Sequence, residues 1–329
     1  MATALQQRGH QIHVVAPQGS QLPNFSLTPI SGALQVLAQT QRRDAPVQMP
    51  ADAALANMWH YAHQVQQQYD LLLNFAYDWL PFYLTPWFNR PVAHLVSMGS
   101  FYDAMDSAIA ETVAQRPDSV AVHTRTQANT FAFGDRFHIL QNGFDLSQYH
   151  FQAHATNELA WVGRIAPEKG LEDALAAANR CGLPLNIFGA ISDAAYWDNL
   201  QRRYPNALSR YHGFVALDAL QRGLGRCKAL LMTPKWEEAF GNVVIEALAC
   251  GVPVVAYRRG GPAELVQSGQ TGWLVEPDSV PGLVEAIAKV ETIDRWACRQ
   301  EAEATYSLSA MGERVSAWLN LVHRNMNRT

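Results

Sequence analysis

From residue 159 onward the chain repeats one pattern. A short, mostly apolar stretch is followed by a turn rich in Gly, Pro or Asp, then by a segment with apolar positions every three to four residues. These stretches predict strands over 159–164, 185–188, 229–232 and 272–275, with one more after Gly251-Val252-Pro253, and residues 209–214 are read as a further strand. Helices are expected over 170–181, 193–204, 217–227, from 241, from 262, and across 281–293 and 294–304. Strands without polar alternation are buried on both faces, and helical crossovers between them make the sheet parallel. Residues 309–325 form an amphipathic tail, with Met311, Val315, Trp318, Leu319 and Val322 on one face.

The first half alternates in the same way but less regularly. Residues 2–9 read as the last turns of a helix ended by Gly9, and residues 10–17 as a strand. An α/β domain normally opens with a strand, so a first strand and its loop are expected to lie outside the sequence or to have been lost. Residues 18–50, rich in Gln, Pro and Ser, offer only a weak strand at 34–37. Then come a helix over 52–68, a strand over 70–75, an aromatic segment, and strands at 91–96, 119–123 and 137–140 separated by helices at 104–114 and 127–133. Polar residues 146–157 lack periodicity and read as an interdomain linker. The expected organisation is α/β of GT-B type: two Rossmann-like doubly wound domains, 1–150 and 151–308, facing each other across a cleft. A terminal helix, 309–329, would pack back toward the first domain.

Composition narrows the function classes. The 329 residues, 48% of them apolar, suffice for two cores. A formal charge of −4 argues against nucleic acid as a principal partner. The four cysteines are scattered without a Cys-x-x-Cys pair and read as reduced, buried thiols of a cytoplasmic protein. No apolar run approaches the ~20 residues of a membrane span, which leaves only peripheral membrane contact open.

The candidate chemistry concentrates in residues 233–264, TPKWEEAFGNVVIEALACGVPVVAYRRGGPAE. A helix starting near Gly241 presents free backbone N–H groups, an anion site, beside Glu238. Glu246 lies further along that helix, where a carboxylate can accept hydrogen bonds from paired hydroxyls. Acidic residues at a helix start are also favoured by the dipole alone. Earlier, Gly163-Arg164-Ile165-Ala166-Pro167-Glu168-Lys169-Gly170 turns at a strand end with a cation on each side, an arrangement able to neutralise a diphosphate or simply to decorate a loop.

Taken together, WEEAFGNVVIEALACGVPVVAYRRGGPAELV, GRIAPEKGL and QNGFD resemble the signature of the large family-4 retaining glycosyltransferases of GT-B fold, over roughly residues 120 to 330. The resemblance implies transfer of a hexose from a nucleotide diphosphate sugar, a UDP-sugar first of all, to a small-molecule, glycan or lipid-linked acceptor. Arg164 and Lys169, with Gly163 in the turn, would hold the diphosphate. Glu238 would contact the sugar hydroxyls, and the N–H groups of Gly241, Asn242 and Val243 the sugar and phosphates. Glu246 would grip the ribose diol, and Phe214 and Val215 would flank the base. Candidate catalytic residues are thus Glu238, Arg164 and Lys169.

The family usually places a His after the strand corresponding to 91–96. Here His94 lies within that strand and reads as a packed residue, leaving Ser97, Met98 and Gly99 as acceptor-side candidates. The resemblance implies no cofactor, and with no Asp-x-Asp a metal is not indicated. His60 and His63 lack a third ligand, and the aromatic run Tyr77, Trp79, Phe82, Tyr83, Trp87, Phe88 reads as packing of a short helix, with an acceptor or membrane surface as the alternative. A non-catalytic nucleotide-sugar-binding protein, and an epimerase or hydrolase of the same fold, stay open as alternatives.

Overall fold

The computed structural model describes residues 1–36, 42–205 and 207–326. The chain forms two compact units, Met1–Gln141 with Met311–Thr329, and Asn142–Ala310.

The first unit holds α1 (Ala2–Gln6), β1 (His13–Pro17), β2 (Ser26–Ile30), α2 (Ala54–Val65), β3 (Leu72–Asn74), α3 (Trp79–Leu84), β4 (Val92–Leu95), α4 (Asp103–Gln115), β5 (Val120–Val122), α5 (Arg125–Ala128) and β6 (His138–Ile139). Among the described residues β3-β4-β5-β6 form one parallel sheet and β1-β2 another. Strand β2 was not expected. Its sequence, SLTPI, contains Pro29, which donates no ladder hydrogen bond and is tolerated because β2 pairs with β1 alone. Of the strand expected at 34–37, residues 34–36 carry no strand and Leu37 lies outside the described residues. Ala33 makes a single bridge to Ala53. In place of the helix expected at 127–133 there is one turn, Arg125–Ala128: Thr124 caps it by accepting from the Gln127 N–H at 3.0 Å, and no helix continues over 129–133.

The second unit follows the alternation closely: β7 (Leu159–Val162), α6 (Leu171–Cys181), β8 (Leu185–Phe188), α7 (Ala194–Arg203), β9 (Ser209–Gly213), α8 (Leu217–Gly225), β10 (Ala229–Met232), α9 (Asn242–Ala249), β11 (Val254–Tyr257), α10 (Pro262–Leu265), β12 (Gly272–Val275), α11 (Val280–Lys289) and α12 (Arg295–Tyr306). Helix α13 (Leu308–Met326) follows. Its residues Met311, Val315, Trp318, Leu319 and Val322 are buried, and the Trp318 indole donates to the Asp118 carbonyl of the first unit, to which the helix belongs from Met311 on.

Six parallel strands in the order β12-β11-β10-β7-β8-β9 make the second sheet. Successive residues of its central strands go to opposite sides. Leu230, Met232, Val254 and Ala256 pack under α9, whereas Leu231, Val255, Tyr257 and Trp161 pack under α6 and α11. Burying each of the Val, Leu and Met side chains is worth about 1.5–3 kcal/mol, so this doubly covered sheet is a rigid base for the loops at its carboxyl edge.

Residues 146–157, expected as a linker, are docked on the second unit, and the boundary falls at 141/142. Leu146 and Tyr149 are buried in its core. The Arg299 guanidinium donates to the carbonyls of Leu146, Tyr149 and Ala249, and the Gln221 side chain binds the His150 N–H and the Gln148 carbonyl. Two apolar anchors in a polar stretch, with their backbone groups satisfied, are enough to fix it. Among the described residues no helix is long and apolar enough to cross a membrane.

Candidate functional site

Two loops at the carboxyl edge of the second sheet are laced together. The turn after β7 ends at Gly170, which has φ +65°, and a Cβ there would overlap the Thr233 carbonyl. The Thr233 hydroxyl donates to the Gly170 carbonyl at 2.8 Å, and the Lys235 N–H to the Glu168 carbonyl at 2.8 Å. On the far side, the Gly261 N–H donates to the Glu238 carbonyl at 2.6 Å, and a Cβ on Gly260 would come 2.5 Å from the Glu238 nitrogen. Glycine is needed at these close approaches. Backbone packing, rather than side chains, therefore fixes where Lys169 and Glu238 project.

Those two side chains meet. The Lys169 ammonium donates to Glu238 Oε2, each side chain being 16% exposed. Trp236, to which sequence reasoning gave no role, closes the group: its indole N–H donates to the same oxygen at 3.1 Å, and Lys169 Nζ lies 4.9 Å from its ring centroid. Arg164 does not join them. Its guanidinium pairs with Glu168 at 3.0 Å and stays 57% exposed. Gly163 starts this turn, donating to the Phe188 carbonyl at 3.0 Å.

Gly241 caps α9 with φ +95°. The N–H groups of the first turn point out of the helix without intrahelical partners. The Asn242 side chain accepts from Asn142 at 2.8 Å, which ties the Asn-Gly-Phe-Asp segment to this helix end. Val243 packs partly against the core. Glu246 is half-buried on that helix. Burial pushes its carboxyl above the usual carboxylate range, and the Tyr149 hydroxyl, donating at 3.3 Å, pulls it partly back. Tyr149 was missed because it lies in the stretch read as linker. Strand β9 stops at Gly213, leaving the Phe214 ring 84% exposed beyond the sheet edge, while Val215 packs partly against the core.

In the first unit, Ser97, Met98 and Gly99 form the turn after β4. The Gln127 side chain binds the carbonyls of Val96 and Met98, both at 2.9 Å, and the Tyr77 hydroxyl donates to the Gly99 carbonyl at 2.9 Å. The Ser97 side is exposed and Gly99 buried. His94 is fully buried between Asn74 and Thr85, as its place inside the strand suggested. In the aromatic run, Phe82 and Phe88 are core, whereas Tyr83 and Trp87 remain 48% and 56% exposed. Among the described residues no cluster of His, Cys, Asp or Glu has the makings of a metal site.

The family model for glycosyl transferases group 1 matches residues 147–305. A glycogen synthase of Mycobacterium tuberculosis is 33% identical over 162 residues, 46% of this chain and 39% of that protein. A sulfoquinovosyl transferase of Arabidopsis thaliana is 31% identical over 135 residues, 40% of this chain and 25% of that protein. The chain thus spans about two-fifths or less of the length of these relatives. Among solved structures, Anabaena HepE in complex with UDP superposes with a TM-score of 0.74 at 18% identity, covering 90% of this chain and 86% of that one. AviGT4, a glycosyltransferase of avilamycin A biosynthesis, gives 0.72 at 19% identity, covering 98% and 87%. These likenesses establish the GT-B fold.

Proposed function

Because residues 147–305 belong to the glycosyl transferases group 1 family, we propose that the protein transfers a hexose from a nucleotide diphosphate sugar to an acceptor, with retention of anomeric configuration and without a metal. The observation that carries this reading is the pairing of Lys169 with Glu238 at the loop that opens α9. There a cation, a carboxylate and a set of free N–H groups are held within one short segment.

In this reading Lys169 and Arg164 neutralise the diphosphate as it leaves, and the N–H groups of Gly241, Asn242 and Val243 add helix-end stabilisation. Glu238 accepts hydrogen bonds from sugar hydroxyls, and Glu246, already enclosed, accepts from the ribose diol. The exposed Phe214 ring and the backbone at Val215 flank the base. As the bond from C1 to the phosphate oxygen breaks, the acceptor oxygen attacks from the same face and its proton passes to the leaving phosphate. No protein nucleophile is required. Acceptor contacts come from the turn Ser97-Met98-Gly99, and the acceptor is a small molecule, a glycan or a lipid-linked sugar. HepE has been crystallised with UDP and glucose, which makes UDP-glucose the first donor to try.

A thermal-shift screen of nucleotide sugars tests donor binding, since a ligand at 100 times its Kd stabilises the fold by about 2.7 kcal/mol. Turnover of the binding donor with sugar acceptors, followed by NMR of the new anomeric centre in the presence of EDTA, tests the rest. Retention with undiminished rate is expected. Absence of any shift, inversion, or release of free sugar alone would overturn the reading.

A further inference from the structure

We infer that Glu238 competes with the diphosphate for Lys169, so that the site holds an intact nucleotide sugar more firmly than the nucleoside diphosphate left after transfer. The inference rests on the donor reading above, which puts Lys169 on the diphosphate and Glu238 on the sugar.

The Lys169 ammonium is held by Glu238 Oε2 and by the face of Trp236. The Trp236 N–H holds that same oxygen in place at 3.1 Å. Glu238 is further anchored through its backbone, whose carbonyl accepts from Gly261 at 2.6 Å and whose nitrogen leaves no room for a side chain at Gly260. The carboxylate is thereby held beside Lys169 when an anion approaches. A diphosphate must draw the ammonium away from a fixed, largely enclosed carboxylate.

The two ligands differ in what they give back. An intact nucleotide sugar brings hydroxyl donors to the carboxylate that has lost its cation, so Glu238 exchanges one set of hydrogen bonds for another. A nucleoside diphosphate brings none. It leaves a partly buried carboxylate with only the indole N–H, beside a second anion, and an enclosed charge short of partners is costly. Once the sugar has moved to the acceptor, Lys169 is drawn back to Glu238 and the grip on the product loosens. Trp236 is the positioning residue of this exchange, fixing the carboxylate and offering its ring to the ammonium in either position.

The test is calorimetric titration of the folded full chain with inorganic pyrophosphate, which avoids any assumption about the base, and with UDP and UDP-glucose. Glu238→Gln removes the competing charge while keeping the shape. It is expected to bind pyrophosphate and UDP about tenfold more tightly than the wild type, and to lose the wild-type preference for UDP-glucose over UDP. Trp236→Phe removes the indole N–H that holds the carboxylate without altering any charge, and should tighten pyrophosphate binding by less than Glu238→Gln does. If Glu238→Gln binds pyrophosphate no more tightly than the wild type, or if Trp236→Phe shifts it equally, the competition does not exist although the donor reading stands. If the wild type binds neither pyrophosphate nor any nucleotide tested, the donor reading itself fails, and this inference with it.

Discussion

Acid should destabilise the first unit through His94, and the hydrogen bonds around that ring show why. The imidazole is fully buried and stacked on Phe82, with ring centroids 4.2 Å apart. Thr85 donates its hydroxyl proton to the Pro81 carbonyl at 2.8 Å, so toward His94 Nε2, at 2.8 Å, it can only accept. Asn74 accepts the Ala76 N–H on its amide oxygen, which turns its NH2 group to His94 Nδ1 at 3.1 Å. The network thus assigns a neutral ring, protonated on Nε2, with the Nδ1 lone pair in use. A second proton would face the Asn74 NH2 in a fully buried site, and burial lowers the group from 6.5 to about 3. Because the folded value lies below the unfolded one, the unfolded chain binds the proton first. Stability is then complete above about pH 6.5 and is lost progressively as pH falls toward 3. At about pH 4.5, two units below the ordinary value, the loss is about 3 kcal/mol, a large part of a typical domain's stability. His94→Gln removes the titration at some cost in packing at neutral pH. Native-state hydrogen exchange of β4 and β5 amides should show the wild type losing about 3 kcal/mol more than the variant between pH 7.5 and 4.5. The buried His123, lowered to about 4, contributes equally to both proteins. Parallel losses, or a His94 ring that titrates above about pH 5 by NMR, would refute the argument.

Two further outcomes follow from the second unit. Glu246→Gln should raise thermal stability at pH 7 while weakening nucleotide-sugar binding. The folded-state carboxyl is raised, so the folded chain is penalised as pH climbs past the ordinary carboxylate value, and the neutral amide removes that penalty. The gain expected is of the order of 0.5–2 kcal/mol, read by melts at pH 7 and pH 4, with the difference shrinking at the lower pH. Gly170→Ala should lower stability by about 2–4 kcal/mol and abolish pyrophosphate binding, because the left-handed backbone and the overlap with the Thr233 carbonyl force the Lys169 turn off the 233–241 loop; a melt and a titration unchanged from wild type would count against that packing.

The second unit was legible because its signals are local. Strands 185–188, 229–232 and 272–275 have the expected ends, since a strand covered on both faces is mostly apolar; Asn186 is the polar exception and is bonded to Glu158. The first unit blurs that rule. Strand β2 hides behind Pro29 and a Gln-rich setting, and β6 shrinks to His138–Ile139. The residue types of the candidate site, Lys169, Glu238, Gly241 and Glu246, could be read from spacing, but not their partners. Trp236 reaches Glu238 from two residues away, while Tyr149 reaches Glu246 across 97 residues and Glu168 takes up Arg164. Such choices are made by tertiary packing, which no period in the sequence records. The same limit explains the linker reading: the burial of Leu146 and Tyr149 and the bonds from Arg299 and Gln221 that dock this segment join residues far apart in sequence.

The charges near the 233–241 loop divide into two kinds, and the division bears on function. At the base of the loop, Lys235 pairs with both Asp173 and Asp278, and Arg259 binds Asp278 at 2.7 Å and the Pro234 carbonyl at 2.8 Å. The two cations, Arg259 foremost, hold the Asp278 carboxyl down at about 2, so this network stays charged across any physiological pH. Tyr257 donates to Asp173 from the adjacent strand. These groups share partners several ways, and removing one leaves others unpaired, which makes them a poor place for a ligand to intervene. At the tip, by contrast, Lys169 and Arg164 each have, among the described residues, a single carboxylate partner, Glu238 and Glu168. A one-to-one pair can be exchanged for a ligand at the cost of one ion pair, whereas a shared network cannot. The loop is therefore fastened by charge at its base and exchangeable at its tip. An incoming anion can reorganise Lys169 and Arg164 without loosening the frame that aims them.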